Sequence, residues 1–334
     1  GITHQPAFSE GWHQSPLIGG KRQVCVLRTQ IFRNLILYRF TQAFDLDAET
    51  LEEKLAEKTF RPLGDMEPAF TGWTEPLGKE GRQLVHTVGN CMMLCARKEE
   101  KILPAAAVRE LVEARAGEIE EKEGREVRAR ERRELKETVL LEMIPRAFSK
   151  SHRQYAYIDS WNGWLVVDTA TASRAEAFID LLRECLGTLP VVPLQVAESP
   201  DAVMTEWLKE GGVPGVIQIG DEGELRDLME DGAIVRVRRE DLFSDEIRVH
   251  LEAGKRVMRL ALTWEERVSF LLDEKFQLKR LRFQDAVLDE AGDVGAETAA
   301  ERFDADFAIM TGEFSRFLPE LITLFGGEEK DGFS

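Results

Sequence analysis

Residues 120–134 place the strongest constraint on what this chain can fold into. Apart from glycine, the only apolar side chains in this stretch are Val127 and Ala129. A segment without an apolar face cannot pack against a hydrophobic core, so we expect it to lie in solvent. The rest of the fold must therefore be built around a long segment that contributes nothing to the core.

Helical patterns flank this stretch on both sides. Pro104 suits the first turn of one helix, Gly124 offers a break, and Pro145 ends a second helix. The apolar residues at helical spacing are Val108, Leu111, Val112 and Ile119 before the break and Leu135, Val139 and Met143 after it. The sequence predicts a projecting helical hairpin arm. Two legs of about 20 residues would carry its end roughly 30 Å from the base.

The segment 97–153 is also more basic than the rest of the chain. It holds 15 Lys or Arg against 13 Asp or Glu, whereas the whole chain has 44 against 61 and a net charge of −17. Five of its arginines fall within residues 125–133. A solvated helix pair laced with ion pairs would have the same composition, so this interpretation stays open. Phe148, between Arg146 and Lys150, is a partner anchor, a stacking platform or an ordinary core residue.

Composition indicates a globular protein of two or three domains. The chain has 334 residues, of which 43% are hydrophobic and 31% charged. No apolar run approaches the length of a membrane span, and no signal-peptide pattern is present. We expect a cytoplasmic protein with no membrane partner.

The four cysteines predict neither a disulfide framework nor a metal site. Cys25, Cys91, Cys95 and Cys185 are scattered through the chain. Cys91 and Cys95 would face the same way on a strand, as small buried side chains. A zinc site there would need two more ligands, and His86 is the only local candidate.

The chain order predicts an α+β fold of mixed antiparallel sheets and helices. Residues 1–30 show no periodicity, and we expect them to be a disordered extension outside the fold. Predicted strands and hairpins cover 32–40, 83–96, 154–169, 189–196 and 216–219, and predicted helices cover 47–57, 173–187, 201–210, 222–230 and 297–325. Asn162 and Gly163 predict a type I′ turn, and their neighbours Trp161 and Trp164 are interpreted as packing residues.

Three further strands in residues 234–283 are apolar at alternate positions and basic at many others. Alternation predicts a shared face for each of three pairs, which are Arg236 with Arg238, Lys255 with Arg259, and Arg280 with Arg282. From 236 to 282 there are 12 basic and 9 acidic residues. A binding face and an ordinary solvent face fit this pattern equally well.

Enzyme signatures are missing from the sequence. It contains no phosphate-binding loop, no dinucleotide fingerprint, no nucleophile elbow and no His-Glu-x-x-His helix. The acidic clusters at 221–222 and 227–231 allow a metal-dependent nuclease as a distant alternative. We predict a protein that is not an enzyme and needs no cofactor.

Several strings resemble the bacterial RdgC family of recombination-associated proteins. They are 31–35 (IFRNL), 96–104 (ARKEEKILP), 145–149 (PRAFS), 186–191 (LGTLPV), 246–247 (EI), 250–255 (HLEAGK), 278–283 (LKRLRF), 302–307 (RFDADF) and 310–313 (MTGE). The resemblance runs in unbroken order from about residue 31 to 328, and it leaves residues 1–30 outside.

The resemblance implies a ring-forming homodimer that encircles duplex DNA without sequence preference and restrains RecA-promoted strand exchange. It implies a nucleoid-associated protein whose partners are double-stranded DNA, a second copy of itself and, as a further candidate, single-stranded DNA. The implied regions are a centre (31–96 and 151–198), a tip arm (97–150), a base (199–290) and a C-terminal helix packed on the core (291–334).

The residues that the resemblance and the charge pattern assign to DNA are Arg125, Arg128, Arg132, Arg133, Arg146, Lys150, Arg236, Arg238, Arg239, Lys255, Arg259, Lys279, Arg280 and Arg282. Phe148 is assigned to the contact between the two tips, and no catalytic or metal-binding residue is assigned. Glu240 beside Arg239 departs from the family pattern. The alternative is a protein-interaction adaptor that uses the charged helical arm.

Overall fold

A computed structural model describes residues 32–229, 232–292 and 298–329. The predicted extension, residues 1–30, therefore lies outside the described residues. Twelve strands are described: β1 (Leu35–Phe40), β2 (Ala69–Thr74), β3 (Val85–Val88), β4 (Cys91–Lys101), β5 (Ser149–Asp159), β6 (Trp164–Asp168), β7 (Val191–Pro193), β8 (Ile217–Arg226), β9 (Ile234–Arg238), β10 (Arg256–Trp264), β11 (Val268–Asp273) and β12 (Leu278–Phe283).

Eight α-helices are described in the same residues: α1 (Ala48–Ala56), α2 (Ala105–Glu123), α3 (Ala129–Met143), α4 (Ala172–Leu186), α5 (Pro200–Glu210), α6 (Asp245–Glu252), α7 (Asp285–Gly292) and α8 (Ala299–Leu324). The Asp47 side chain caps α1 by accepting from the backbone N–H of Thr50 at 2.8 Å. The predicted α+β class is confirmed. None of the described helices is both long enough and apolar enough to span a bilayer.

The strands form one sheet in the order β2-β4-β5-β6-β1-β12-β11-β10-β8-β9, with β3 beside β4 and β7 beside β1. Their pairings are antiparallel. The junction between β1 and β12 consists of one residue pair, Leu35 opposite Leu278. We therefore describe the sheet as two halves: a first half, β1 to β7, and a second half, β8 to β12.

The two faces of the sheet are covered differently. On one face a single apolar cluster runs across both halves, and α8 supplies Phe307, Phe314 and Phe317 to it. On the opposite face a second cluster, with Leu51 of α1 and Phe178 of α4, contains residues of the first half only. We call this second side of the sheet the α4 face. On the second half, the α4 face carries charged side chains instead of a helix.

Helices α2 and α3 lie on either side of Gly124, where the sequence predicts a break. Gly124 ends α2 with a φ of +66°, a conformation that glycine adopts without steric penalty. A small cluster of Val108, Val112 and Val139 holds the two helices together. Arg115 on α2 donates to Glu142 on α3 at 3.0 Å, which fixes an antiparallel arrangement.

The ends of the charged segment belong to the sheet rather than to the helices. Strand β4 continues to Lys101, and β5 already begins at Ser149, directly opposite it. Lys98 pairs with His152 in the same ladder. The backbone hydrogen bonds of the β4–β5 ladder thus carry the sheet further toward the helix pair than the sequence pattern indicates.

The predicted helix over 222–230 is wrong, because residues 217–226 form β8. This strand lies between β9 and β10, and Leu225 is fully buried in the core. Pairing on both sides overrides the helical propensity of a Glu- and Leu-rich run. Strands β2 and β11 and helices α6 and α7 were not predicted.

The hairpin between β5 and β6 is confirmed, but the predicted type I′ turn is wrong. Gly163 has a φ of +69°, whereas Asn162 is not in the left-handed region that this turn requires. The Asp159 carboxylate instead accepts from the backbone and side-chain N–H groups of Asn162, at 2.9 and 2.7 Å. Trp164 is buried as predicted, whereas Trp161 is 81% exposed and is not a packing residue.

Cys91 and Cys95 are buried free thiols on the same face of β4, as the alternation predicts. Burial raises the pKa of each thiol to about 12. Neither sulfur is therefore a thiolate near neutral pH, which fits a packing role.

Candidate nucleic-acid interface

The α4 face of the second half gathers basic side chains from three strands. Arg259 of β10 and Arg236 of β9 both lie directly opposite Glu224 of β8, so all three point to the same side of the sheet. They open onto a cavity of about 470 Å³. We call it the basic cavity; the cationic residues that line it are Arg236, Arg238, Arg259, Lys279 and Arg280.

Glu224 lies beneath these arginines and is only 4% exposed. Its carboxylate accepts from Arg236 Nε at 2.9 Å and from Arg226 Nη2 at 3.2 Å, and Arg259 Nη1 lies 3.7 Å away. Burial would raise the pKa of Glu224, but the hydrogen bonds from Arg236 and Arg226 and the charges of Arg259 and Arg236 outweigh it and lower the pKa. Glu224 is therefore a charged anchor at neutral pH.

Two further carboxylates fix the remaining cations. Glu222 Oε1 lies 2.7 Å from Arg280 Nη2 and 3.4 Å from Arg238 Nε. From its place on β8 it thus links the neighbouring strand β9 to β12, which lies beyond β10 and β11. Asp273, which is 2% exposed, holds Lys279 Nζ at 2.7 Å. The cations stay accessible: the side chains of Arg236 and Arg238 are 67% and 73% exposed. The cavity thus presents positioned guanidinium groups to solvent.

Arg280 enters this cavity through an irregular backbone. The register of β11 and β12 shifts between Ser269 and Leu271, and Arg280 has a φ of +51°, which is uncommon for a side chain of this size. The Asn34 side chain accepts from the Arg280 backbone N–H at 3.2 Å. The Asn34 backbone N–H in turn donates to Asp168 at 2.9 Å. Arg280 therefore reaches the cavity through a bulge in β12 rather than through the simple alternation that the sequence pattern assumes.

Sequence reasoning missed Asn34, Glu222 and Glu224 as members of this site. Asn34 lies 246 positions from Arg280 and reaches the cavity only through the β1–β12 junction. The one available signal was its place in the string 31–35 that carries the family resemblance. Acidic residues below a basic surface have no comparable signature.

Three residues predicted for this surface lie outside the cavity. Lys255 precedes β10 and lines a separate cavity beside α5. Arg239 follows the end of β9 with a φ of +58°. Arg282 lies opposite Ser269, two positions along β11 from the Leu271–Lys279 pair, and so shares the face of Lys279 farther along the sheet.

The arginines of α2 and α3 are arranged in another way. Arg125 makes a two-pronged ion pair with Glu131, at 2.8 and 2.9 Å, and a second ion pair with Glu123 at 2.7 Å. Arg132 reaches across to Glu113 and Glu120 on α2. Both arginines are bound to glutamates that are themselves on the surface. Arg128, Arg133 and Arg146 are exposed, and Lys150 lies 3.1 Å from Glu100.

Phe148 is 84% exposed, so the core interpretation of this residue is wrong. Its carbonyl oxygen accepts from the Ile102 backbone N–H at 2.7 Å, which fixes the backbone at the base of the helix pair. Ile102 is itself 43% exposed. An exposed aromatic ring on a hydrogen-bonded backbone is a feature of interaction surfaces.

The acidic clusters do not form a metal site in the part of the chain that is described. Glu222 is engaged by two arginines, and Glu230 and Asp231 lie outside the described residues. Within 32–229, 232–292 and 298–329, no group of three or more His, Cys, Asp or Glu side chains is placed to hold a metal ion.

Comparison with known proteins gives a consistent result. The family described as "Putative exonuclease, RdgC" matches residues 31–328. A recombination-associated protein RdgC of Tolumonas auensis is 43% identical over 300 residues, covering 90% of this chain and 99% of the relative. Those of Psychromonas ingrahamii and Aeromonas hydrophila are each 42% identical, over 89% and 90% of this chain and 99% of each relative.

The antiparallel sheet with its exposed basic face is thus found in a chain whose relatives are named recombination-associated proteins. The match covers nearly the whole of each relative and leaves out only the two ends of this chain. The chain belongs to the RdgC family.

Proposed function

We propose that this protein binds duplex DNA without sequence preference and that two copies close into a ring around it. The observation that carries the proposal is the basic cavity. In a chain of net charge −17, five cations line one cavity on a sheet face that no helix of the described residues covers. Segregating positive charge in this way leaves the remaining surface acidic, which suppresses nonspecific association elsewhere.

The type of side chain explains the lack of sequence preference. Arg and Lys contact phosphate oxygens, which are the same at every base pair, whereas sequence is read from base edges in the grooves. Arginines that are already anchored on buried carboxylates lose little conformational freedom when a phosphate binds. The cavity is therefore suited to holding the backbone of any duplex.

The proposed ring uses the rest of the chain as follows. Residues 31–96 and 151–198 form the centre, 97–150 the projecting tip arm, 199–290 the base, and 291–334 the C-terminal region, whose helix α8 packs on the core. Phe148 makes the contact between the two tips, and its exposure supports this assignment. A closed ring retains DNA even where each phosphate contact is weak.

The proposed biological effect is restraint of RecA-promoted strand exchange in the cytoplasm, at the nucleoid, because a strand exchange protein cannot use DNA that the ring occupies. We propose that this activity involves no catalysis, although the family description includes the word exonuclease. The carboxylates of the basic cavity support this view. Each is held by arginine or lysine, which competes with any metal ion for the same oxygens.

Duplex binding measured against salt concentration, with linear and closed circular DNA compared, tests the proposal. The logarithm of the binding constant is expected to fall linearly with the logarithm of the salt concentration, by about 0.9 per phosphate contact. After a high-salt challenge, circles are expected to stay bound while linear DNA slips off. Binding that does not depend on salt, or equal release of both DNAs, would contradict the ring.

A protein-interaction adaptor is the second candidate, and one observation favours it. The arginines of α2 and α3 already pair with glutamates, which is the surface expected for docking a charged helical partner. This candidate predicts that a cellular partner is still captured after nuclease treatment and that purified duplex DNA is not bound.

A further inference from the structure

A groove of about 940 Å³ opens between α4 and the adjoining ends of β2, β4 and β5. Its floor includes Ala96 and Phe178, and its rim includes Lys98, His152 and Arg174. The three rim residues come from β4, β5 and α4 respectively. The groove is separate from the basic cavity, with which it shares no lining residue.

The groove nevertheless opens on the same face of the sheet. Lys98 lies directly opposite His152 and two positions from Ala96, which belongs to the cluster on the α4 face. The start of α4 lies between the two cavities: Ala170, just before the helix, lines the basic cavity, whereas Ser173 and Arg174 line the groove. A ligand that follows this face would therefore pass from one cavity to the other.

Ion pairing leaves positive charge in excess at one end of the groove. Glu100 is the nearby carboxylate, and it is shared by Lys98 at 2.7 Å and Lys150 at 3.1 Å. Arg174 makes no ion pair within the described residues. At the other end, Asp180 is paired with Arg183 at 2.7 Å, and Glu184 is paired with Lys58. The excess positive charge at the Arg174 end of the groove therefore favours binding of an anion there.

We propose that this groove holds a second backbone phosphate of the bound nucleic acid, through Arg174, Lys98 and His152. The inference rests on the proposed DNA binding, and it extends the contact surface from the second half of the sheet to the first. None of these three residues is among the DNA-binding residues predicted from the sequence. Lys98 lies within the predicted arm, but no DNA contact is predicted for it.

His152 gives this second contact a dependence on pH. Burial lowers the pKa of His152, and the positive charges of Arg174, Lys98 and Lys150 add to this effect against the opposing charge of Glu100. The imidazole is therefore neutral at pH 7 in the free protein. A phosphate beside it favours the charged form, so binding takes up a proton. Affinity must then rise as the pH falls toward the lowered pKa.

The test is the salt dependence of duplex binding by the full chain at about pH 8 and at a lower pH, reached in steps downward from the usual histidine pKa of 6.5. Wild type is expected to show a slope steeper by about 0.9 at the lower pH, because protonated His152 adds one phosphate contact. His152→Gln is expected to abolish that difference. Arg174→Ala is expected to reduce the slope by about 0.9 at both pH values.

Arg183→Ala is the matched control, because it removes the same charge from the same helix and the same groove, but at the end where Asp180 occupies it. Its slope should equal that of wild type. If Arg174→Ala and His152→Gln behave like this control while wild type binds DNA normally, the groove holds no phosphate. If wild type itself fails to bind duplex DNA, the proposed function falls, and this inference falls with it.

Discussion

The basic cavity and the α2–α3 helix pair are both rich in arginine, yet they hold it by opposite means. In the cavity, arginines lie over carboxylates that are nearly inaccessible, such as Glu224 at 4% exposure, and their guanidinium groups face outward. In the helix pair, Arg125 and Arg132 bind glutamates that stand in solvent beside them. A count of charges does not distinguish the two regions.

The difference lies in where the negative partner is placed. Water has little access to a buried carboxylate and so competes little for the arginine that it binds. The carboxylate orients that arginine and leaves its outer N–H groups free. An exposed glutamate competes directly with any incoming phosphate, and water and salt screen the pair. We therefore assign the stronger DNA contacts to the cavity, and four predictions follow from this contrast.

The largest expected effect is on stability. Glu224→Gln should lower the free energy of unfolding by about 2 to 3 kcal/mol, because it removes the charged acceptor of the hydrogen bonds from Arg236 and Arg226 at a buried position. Glu131→Gln, which removes the equivalent partner of Arg125 in the helix pair, should leave the unfolding midpoint unchanged. Urea unfolding followed by circular dichroism compares the two. Equal losses would remove the distinction between the regions.

The difference in unfolding free energy between wild type and Glu224→Gln has a defined pH dependence. The pKa of Glu224 is lower in the folded chain than its usual value of 4.5, so its stabilising effect is complete above that value. The effect is lost as the pH falls through the lowered folded pKa, where the carboxylate becomes protonated. The stability gap between wild type and Glu224→Gln should therefore narrow only in acid. A gap that narrows toward alkaline pH would show that Glu224 is not the anchor.

The second prediction concerns DNA binding. Changing both Arg236 and Arg238 to alanine should weaken duplex binding about 30-fold, equivalent to about 2 kcal/mol, and reduce the salt slope by about 1.8. The matched double variant, Arg125→Ala with Arg132→Ala, removes the same charge from the helix pair. It should change the slope little, because the glutamates already neutralise these arginines. A larger loss from the helix pair would reverse our assignment.

The third prediction tests whether the break between α2 and α3 depends on the left-handed backbone conformation of Gly124. Gly124→Ala should destabilise the chain by about 1 kcal/mol, because a Cβ is strained at a φ of +66°. Gly117→Ala, in an ordinary helical position of α2 with open space around it, should stabilise the chain by about 0.5 kcal/mol or more. Urea unfolding of both variants compares an alanine at a strained backbone position with an alanine at an ordinary helical position. Within the described residues, neither added Cβ meets a neighbouring atom, so the difference reports backbone strain.

The fourth prediction carries the smallest effect on stability. Phe148→Ala should leave the unfolding midpoint unchanged, because the ring is 84% exposed. It should nevertheless abolish retention of closed circular DNA after a high-salt challenge, if the tips meet through this ring. Sedimentation velocity on the same variant reports the dimer. Unchanged circle retention would show that Phe148 is not the closing contact.

How far the sequence anticipated the molecule depends on how local each feature is. The cap at Asp47, the break at Gly124 and the helix α8 are set by a few neighbouring residues, and all are found. The helix predicted over 222–230 failed because β9 and β10 on either side decide that segment. Type I′ geometry at Asn162 failed because a side chain, Asp159, supplies a competing hydrogen-bond partner.

The candidate site shows the same limit. Arg236 and Arg238 could be assigned to one face from strand periodicity alone, whereas the bulge at Arg280 breaks that periodicity and depends on Asn34 from the far end of the chain. Likewise, the groove at Arg174 joins β4, β5 and α4 and has no counterpart in any single stretch of sequence. Long-range juxtaposition is the information that pattern reading lacks.

The position of α8 in the chain has a consequence for how the protein is made. The first half of the sheet is translated long before α8, yet Tyr157 and Phe32 on its apolar face are covered by Phe307, Phe314 and Met310 of that helix. At about 5 to 20 residues per second, the ribosome needs roughly 7 to 26 s to pass from the end of β6 to the start of α8. During this interval the apolar face of the first half of the sheet is not yet covered by α8. Until α8 is made, no part of the described chain already synthesised supplies the aromatic side chains that cover this face.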